Sequence, residues 1–221
     1  MQGTRGEEAI GLEIVEQLCS RICHDLAGPV GAIRNGLELI EETAAESGAG
    51  GGEALGLIGH SAEQAARRLR LFRMAYGRST ADGVRSFSDI RDAALDWIAG
   101  GRVSLNWAAG QPDDGLAPRP GLAKVILNLV ILAVDVIPAG GTISITGSGT
   151  PDSGQVLIHV NGRTIKWPQE AVDALNGKVS GDELGARTIH ATVTGRFIRL
   201  YDMKATPNTT DAQTMELRLS W

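Results

Sequence analysis

The first 76 residues contain two series of apolar residues with helical spacing, separated by a glycine-rich run. The first series is Ile14, Leu18, Ile22, Leu26, Val30, Ile33, Leu37 and Ile40. The second series is Leu55, Ile58, Ala62, Ala65, Leu69, Phe72 and Tyr76. Steps of three and four residues place the members of each series on one face of a helix. The chain from 47 to 52 has no such spacing and favours a turn. The sequence therefore predicts an antiparallel helical hairpin.

Each helix of this hairpin has one narrow apolar stripe, and a lone two-helix hairpin buries too little of it to be stable. Pairing of two hairpins would bury the stripes in a four-helix bundle, so we predict a homodimer. The alternative is that the hairpin packs on the C-terminal half of its own chain.

The chain beyond residue 85 has mixed patterns. Helices are predicted over 88–99, 122–136 and 168–175, and strands over 102–107, 142–146, 155–160 and 215–219, with a loop at 111–120. Residues 188–201 fit either a helix or a strand. The predicted fold class is α+β: a hairpin over 1–78, a linker over 79–85, and an α/β sandwich over 86–221. Its sheet is mixed and largely antiparallel, with helices on one face.

Composition excludes several classes of protein. The net charge of −5 argues against a dedicated nucleic-acid binder, which is usually basic. Two cysteines cannot make the disulfide framework of a small secreted protein. The apolar run from 125 to 137 contains Asn128 and Asp135, and it is shorter than the roughly 18 to 20 residues of a membrane span. The N-terminus has no signal-peptide pattern, so we expect a cytoplasmic protein without membrane contact.

The candidate catalytic residue is His24 on the first helix. At about 100° per residue, His24 lies about 200° from Ile22 and points away from the apolar stripe. Asp25 can orient an exposed imidazole that acts as a nucleophile. Pro29 removes the helical N–H that would bond the carbonyl of Asp25 and should bend the helix. A surface histidine without a role is the alternative, which the adjacent acid and the proline disfavour.

A metal site at Cys19, Cys23 and His24 is disfavoured, because it would have three ligands, one of them pointing outward. We expect the two cysteines to be small buried apolar residues near the stripe.

His24, Asp25, Leu26 and Pro29 resemble the H-box of dimeric histidine kinases. In that family the histidine accepts a phosphoryl group, and the neighbouring acid is its base or hydrogen-bond partner. The resemblance implies these roles for His24 and Asp25. Gly28 stands where many kinases have a threonine or asparagine linked to phosphatase activity, which is therefore not expected here.

The C-terminal half resembles the ATPase domain of those kinases without its nucleotide-binding residues. Leu132 stands where the family has a magnesium-binding asparagine, and Asn161 and Gly162 stand where it has an Asp-x-Gly-x-Gly box. Only Gly181 and Gly185 remain of the glycine-rich lid. Without these groups we expect no nucleotide binding.

A hairpin with an H-box and a degenerate ATPase domain resembles the ChpT-type histidine phosphotransferases, most closely over 18–26 and 29–39. The resemblance implies a homodimer that accepts a phosphoryl group from the receiver domain of a hybrid histidine kinase. It passes the group to response regulators, which in the family include cell-cycle transcription regulators. The chain would hold no cofactor, since the receiver supplies Mg²⁺. The alternatives are a divergent ATP-using sensor histidine kinase and a non-catalytic dimeric adaptor that binds receivers.

Charge is unevenly distributed in the hairpin. Residues 1–53 have a net charge of −7, and residues 54–78 have a net charge of +4. Folding the hairpin near residue 50 places residue 24 roughly opposite residue 75, and residue 29 roughly opposite residue 70. Arg70 and Arg73 then lie beside His24, where they would dock an acidic receiver or screen the phosphoryl charge. The alternative is a solvated face that pairs with Glu38 or its neighbours. The predicted receiver-binding residues are Arg21, Ala27, Gly28, Gly31, Arg34, Asn35, Arg70 and Arg73.

Overall fold

The structure is a computed structural model that describes residues 2–46, 51–77, 86–107, 119–178, 184–186 and 188–221. Within these ranges the chain forms an α-helical hairpin followed by a sheet and its covering helices. The elements are α1 (Gln2–Glu46), α2 (Gly51–Tyr76), α3 (Phe87–Ile98), β1 (Val103–Asn106), α4 (Leu122–Asp135), β2 (Gly141–Gly149), β3 (Gly154–Gly162), α5 (Gln169–Leu175), α6 (Ile189–Leu200), β4 (Lys204–Thr209) and β5 (Thr214–Ser220). The predicted α+β class, a helical hairpin followed by a mixed sheet with helices, is confirmed.

Helices α1 and α2 pack along each other in the predicted hairpin. They approach closely at Gly36, where an added Cβ would lie 2.6 Å from Cγ1 of Ile58. Further along, the Arg68 guanidinium reaches the carbonyl of Asp25. These two contacts show which residues of α1 and α2 lie opposite each other. The pairing differs by about five residues from the predicted hairpin. The shift arises in part because α2 has already begun at Gly51, within the run predicted as a loop.

One end of the hairpin packs on the C-terminal half of the chain. Leu71, Phe72 and Ala75 of α2 are buried in the main core together with α4. Ile14 of α1 packs with buried residues of α6. The alternative of packing within the chain is therefore correct for this end of the hairpin.

The hairpin nevertheless keeps a long exposed apolar surface. On both helices, large apolar side chains with helical spacing are about half exposed. We call this set the exposed stripe: Leu12, Val15, Val30 and Leu37 of α1, and Leu55 and Leu69 of α2. Part of both predicted apolar faces therefore remains without a packing partner within the described chain.

The sheet has the strand order β1-β2-β3-β5-β4, with β1 and β2 parallel and the other pairs antiparallel. Alternate residues such as Ile143, Ile158 and Leu217 are fully buried under the helices. The ambiguous segment 188–201 is the helix α6. Strand β4 was not predicted, because Pro207 argues against a strand except at a sheet edge, where β4 lies.

Some predicted features lie outside the described residues: the linker over 79–85, most of the loop over 111–120, and Gly181. In the part of the chain that the structure describes, no helix combines the length and the apolar character needed to cross a membrane.

Candidate active site

His24 lies on the outer face of α1, and its side chain is 85% exposed. Its Nδ1 atom is 3.4 Å from Oδ1 of Asp25, a long hydrogen-bond distance of the kind that often tightens when a substrate binds. The neighbouring residues on this face are small or polar and exposed: Ala27, Gly28, Gly31 and Asn35. A Cβ added at either glycine would meet nothing within 4 Å. A partner can therefore approach the ring closely.

Pro29 lies inside α1 and is buried. Because proline has no N–H, the carbonyl of Asp25 lacks its helical hydrogen bond. Arg68 of α2 donates to this carbonyl through Nη1. The sequence predicted that the carbonyl of Asp25 lacks its helical hydrogen bond. It did not predict Arg68 as the partner, because the predicted hairpin placed Arg68 several residues away from Asp25 along the helix axis.

Arg21 joins two carboxylates from different parts of the chain. Its Nε donates to Oδ2 of Asp25 at 3.2 Å, one turn further along α1. Its Nη2 donates to both carboxylate oxygens of Asp135, at 2.9 and 3.2 Å. Burial lowers the pKa of Arg21, but the two carboxylates outweigh this effect and raise it. Arg21 is thus a half-buried ion-pair residue at the boundary between the hairpin and the C-terminal half.

Asp135, the last residue of α4, is held from its other side by His190 of α6. Nδ1 of His190 lies 3.6 Å from Oδ2 of Asp135. Nε2 of the same ring is 3.1 Å from Oδ1 of Asn128 and 3.3 Å from the hydroxyl of Tyr76. Burial raises the pKa of Asp135, but His190 and Arg21 outweigh it and hold the pKa below its usual value. The carboxylate is therefore charged at neutral pH.

An open cleft of about 670 Å³ lies against this group of charges. Leu132, Asp135, His190, Lys166 and Trp167 are among the residues that line it. Nε1 of Trp167 is buried and has no hydrogen-bond partner within the described chain. Leu132, which replaces the magnesium-binding asparagine expected from the kinase resemblance, contributes an apolar wall.

The predicted arginines have different surroundings. Arg70 is 52% exposed and pairs with Asp96 of α3 at 2.6 Å, not with Glu38. Glu38 pairs instead with Arg34, one turn away on α1. Arg73 is exposed. With the observed register, residue 24 lies opposite about residue 69 or 70, so Arg70 is closer to His24 along the hairpin than predicted and Arg73 is farther.

The prediction that Cys19 and Cys23 are buried is wrong for the single chain, because both are exposed free thiols. They lie on the same side of α1 as the exposed stripe, since they fall at helical spacing between Val15 and Val30. Among the described residues, no group of three or more candidate ligands could hold a metal ion.

The contact between Arg68 and the Asp25 carbonyl predicts a double-mutant cycle. Arg68→Met should lower the free energy of unfolding by about 1 to 2 kcal/mol, because it leaves a backbone acceptor unsatisfied. In a Pro29→Ala background the restored helical N–H bonds this carbonyl, so the same substitution should cost less than about 0.5 kcal/mol.

Urea unfolding of the four proteins measures both costs. Arg67→Met is the matched control, because Arg67 pairs with the exposed Glu63 one turn away, and it should change stability by less than about 0.5 kcal/mol. An equal cost of Arg68→Met in both backgrounds would contradict the assignment.

Known proteins resemble this chain in sequence and in structure. The family model described as "Histidine phosphotransferase C-terminal domain" matches residues 87–213. The "Protein phosphotransferase ChpT" of Brucella abortus (strain 2308) is 31% identical over 179 residues, covering 80% of this chain and 81% of that protein. A solved bacterial phosphotransferase superposes with a TM-score of 0.75 at 28% identity, over 94% of this chain and 96% of that one. The chain belongs to the histidine phosphotransferase family.

Proposed function

We propose that this phosphotransferase is the histidine intermediate of a phosphorelay. It accepts a phosphoryl group from the aspartate of a hybrid kinase's receiver domain on His24 and passes it to the receiver aspartate of response regulators. The observation that carries the proposal is the placement of His24: its ring is 85% exposed, surrounded by small residues, and faces Asp25 through Nδ1.

This placement fits nucleophilic attack by Nε2. When Nδ1–H donates to Asp25, the lone pair of the ring is on Nε2, which faces away from the carboxylate. Nε2 attacks the phosphorus of the receiver's aspartyl phosphate in line, a P–N bond forms, and the receiver carboxylate leaves as the P–O bond breaks. Asp25 stabilises the positive charge that develops on the ring. The receiver's own Mg²⁺ neutralises the phosphoryl oxygens, and the reverse reaction loads the next receiver.

We further infer that the chain transfers phosphoryl groups without binding a nucleotide. Leu132 is 4% exposed and offers no oxygen for a metal ion. Asp135 beside it is engaged by Arg21 and His190. The cytoplasm is the compartment we propose, because the two cysteines of the chain cannot make the disulfide framework that is typical of small secreted proteins.

Transfer from a charged receiver tests the function. A receiver domain of a hybrid kinase from the same organism, labelled with radioactive acetyl phosphate, should transfer its label to the wild-type protein and not to His24→Ala. His60→Ala is the matched control, since His60 is another exposed histidine of the hairpin, and it should accept the label normally. Labelled ATP alone should leave the protein unlabelled.

Label on His24→Ala would refute the assignment of the acceptor. Labelling by ATP alone would favour the sensor kinase, and receiver binding without transfer would favour the adaptor.

We propose that two copies of the chain pair through the exposed stripe. Six large apolar side chains, each at least half exposed, lie with helical spacing on two adjacent helices. Soluble monomers rarely leave an apolar surface of this length uncovered. Two hairpins joined through it give a four-helix bundle with His24 on its outside.

Leu37→Glu combined with Leu69→Glu should convert the dimer to a monomer, because each interface would then bury four unpaired carboxylates. Size-exclusion chromatography with light scattering measures the mass in solution. Leu200→Glu is the control, because Leu200 is 68% exposed but belongs to the C-terminal half. A dimeric double variant, or a monomeric wild type, would refute the interface.

Arg70 and Arg73 are proposed to attract the acidic surface of a receiver. Both are exposed, and Arg70 lies on α2 close to the level of His24. Reversing both charges, with Arg70→Glu and Arg73→Glu, should weaken receiver binding by about tenfold at low salt and by less at high salt.

Asp96→Asn separates docking from the loss of an ion pair. It breaks the contact of Arg70 with α3 but leaves the positive charge free, so receiver affinity should stay equal or increase. The affinities are measured by isothermal titration calorimetry. If both variants weaken binding equally, Arg70 only stabilises the contact between α2 and α3.

A further inference from the structure

A series of polar contacts connects the core of the C-terminal half to His24. It begins at His190, whose side chain is 4% exposed, and continues through Asp135 and Arg21. It ends at Asp25, whose Oδ2 binds Arg21 and whose Oδ1 faces His24. The two ends lie on α6 and α1, and Arg21 is the residue at which the series passes from one half of the chain to the other.

We propose that Asp135 and His190 of the C-terminal half are positioning residues for phosphotransfer: they hold Arg21, and Arg21 holds Asp25 so that its free oxygen faces Nδ1 of His24. The inference rests on the proposed role of His24. It gives the ATPase-like half of the chain a task in transfer that requires no nucleotide.

Helix geometry alone does not bring Asp25 and His24 together. Adjacent residues on a helix point about 100° apart and do not face each other. Arg21, four residues before Asp25, takes one carboxylate oxygen and leaves the other 3.4 Å from the ring. Without this contact the carboxylate is free to turn into solvent, and His24 is then free to place its proton on either nitrogen.

Arg21 needs more than Asp25 to keep its position. A helical ion pair spaced by four residues contributes only about 0.3 to 0.5 kcal/mol, less than the rotamer entropy of an arginine. Two hydrogen bonds to Asp135 fix the far end of the guanidinium. Because the same cation binds carboxylates on α1 and α4, its orientation depends on both halves of the chain.

The support of Asp135 extends into the core. His190 contacts Asn128 through Nε2, and the amide of Asn128 donates to the carbonyls of Ala75 and Lys124. Since the amide nitrogen is used in this way, its oxygen is left to accept from the His190 ring. Asn128 is fully buried, so this arrangement has little freedom to change.

The test uses Asp135→Asn, which keeps the shape of the side chain and removes its charge. Potassium phosphoramidate serves as a small phosphoryl donor to the ring, so that receiver docking does not enter: a P–N bond to Nε2 forms and ammonia leaves. We expect labelling of His24 to slow about tenfold, as is typical when a residue that orients a ligand or base is removed. Asp135→Glu should recover much of the rate, and Asp152→Asn, an exposed loop control, should equal wild type.

Two readouts separate positioning from folding. In an Arg21→Met background, Asp135→Asn should cause no further loss of rate, because it acts through Arg21. Long-range ¹H–¹⁵N NMR of the folded proteins should show His24 mainly as the Nδ1–H tautomer in wild type. The population should shift toward Nε2–H in Asp135→Asn.

Unchanged rate and tautomer in folded Asp135→Asn, or independent losses in the double variant, would overturn the positioning role. The proposed function fails separately, if the wild type takes no label from a phosphorylated receiver. If the wild type accepts label from the receiver and Asp135→Asn is labelled at the same rate as the wild type, only the positioning inference is refuted.

Discussion

Two side chains of α4 bind carbonyl groups at the C-terminal end of α2 and just beyond it, and the arrangement of both halves depends on these contacts. Asn128 donates to the carbonyl of Ala75 at 3.1 Å, and Lys124 donates to that of Gly77. The final carbonyls of a helix have no partner within it, so burying this helix end requires donors from elsewhere. Because α4 supplies them, the end of α2 is fixed on the C-terminal half, and Tyr76 reaches His190.

These polar contacts also explain an irregularity of the sequence. Lys124, Asn128 and Asp135 interrupt an otherwise apolar helix at steps of four and seven residues, which place them on one face. This spacing indicates a polar contact surface. From the sequence alone, only Asn128 and Asp135 were used, as an argument against a membrane span. All three residues face the hairpin or its ends: Lys124 and Asn128 bind α2, and Asp135 binds Arg21 of α1.

The sequence predicts those features of the structure that are set by residues close together in the chain. The hairpin and the outward direction of His24 follow from helical spacing, which is a local property. The hairpin register does not, because a run of glycines and small residues marks no definite point where a helix ends. The Arg21 contacts join residues 114 positions apart, so no local pattern could reveal them. Strand β4 was missed because Pro207 and Asn208 favour a turn. A proline is accepted in a strand at the edge of a sheet, and the sequence alone does not show that β4 lies there beside β5.

A phosphoryl acceptor poses a physical problem that packing cannot solve. The ring must be exposed for a partner to reach it, and an exposed ring has no neighbours to fix its orientation or its proton. Hydrogen bonds and ion pairs must therefore orient the ring, and the side chains that make them need contacts of their own to keep their positions. Along the series, the exposed fraction of the side chain is 85% at His24, between 27% and 36% at Asp25, Arg21 and Asp135, and 4% at His190. In the proposed series, polar contacts carry the rigidity of the buried core to the open surface at His24, and this gives the C-terminal half a task beside the hairpin.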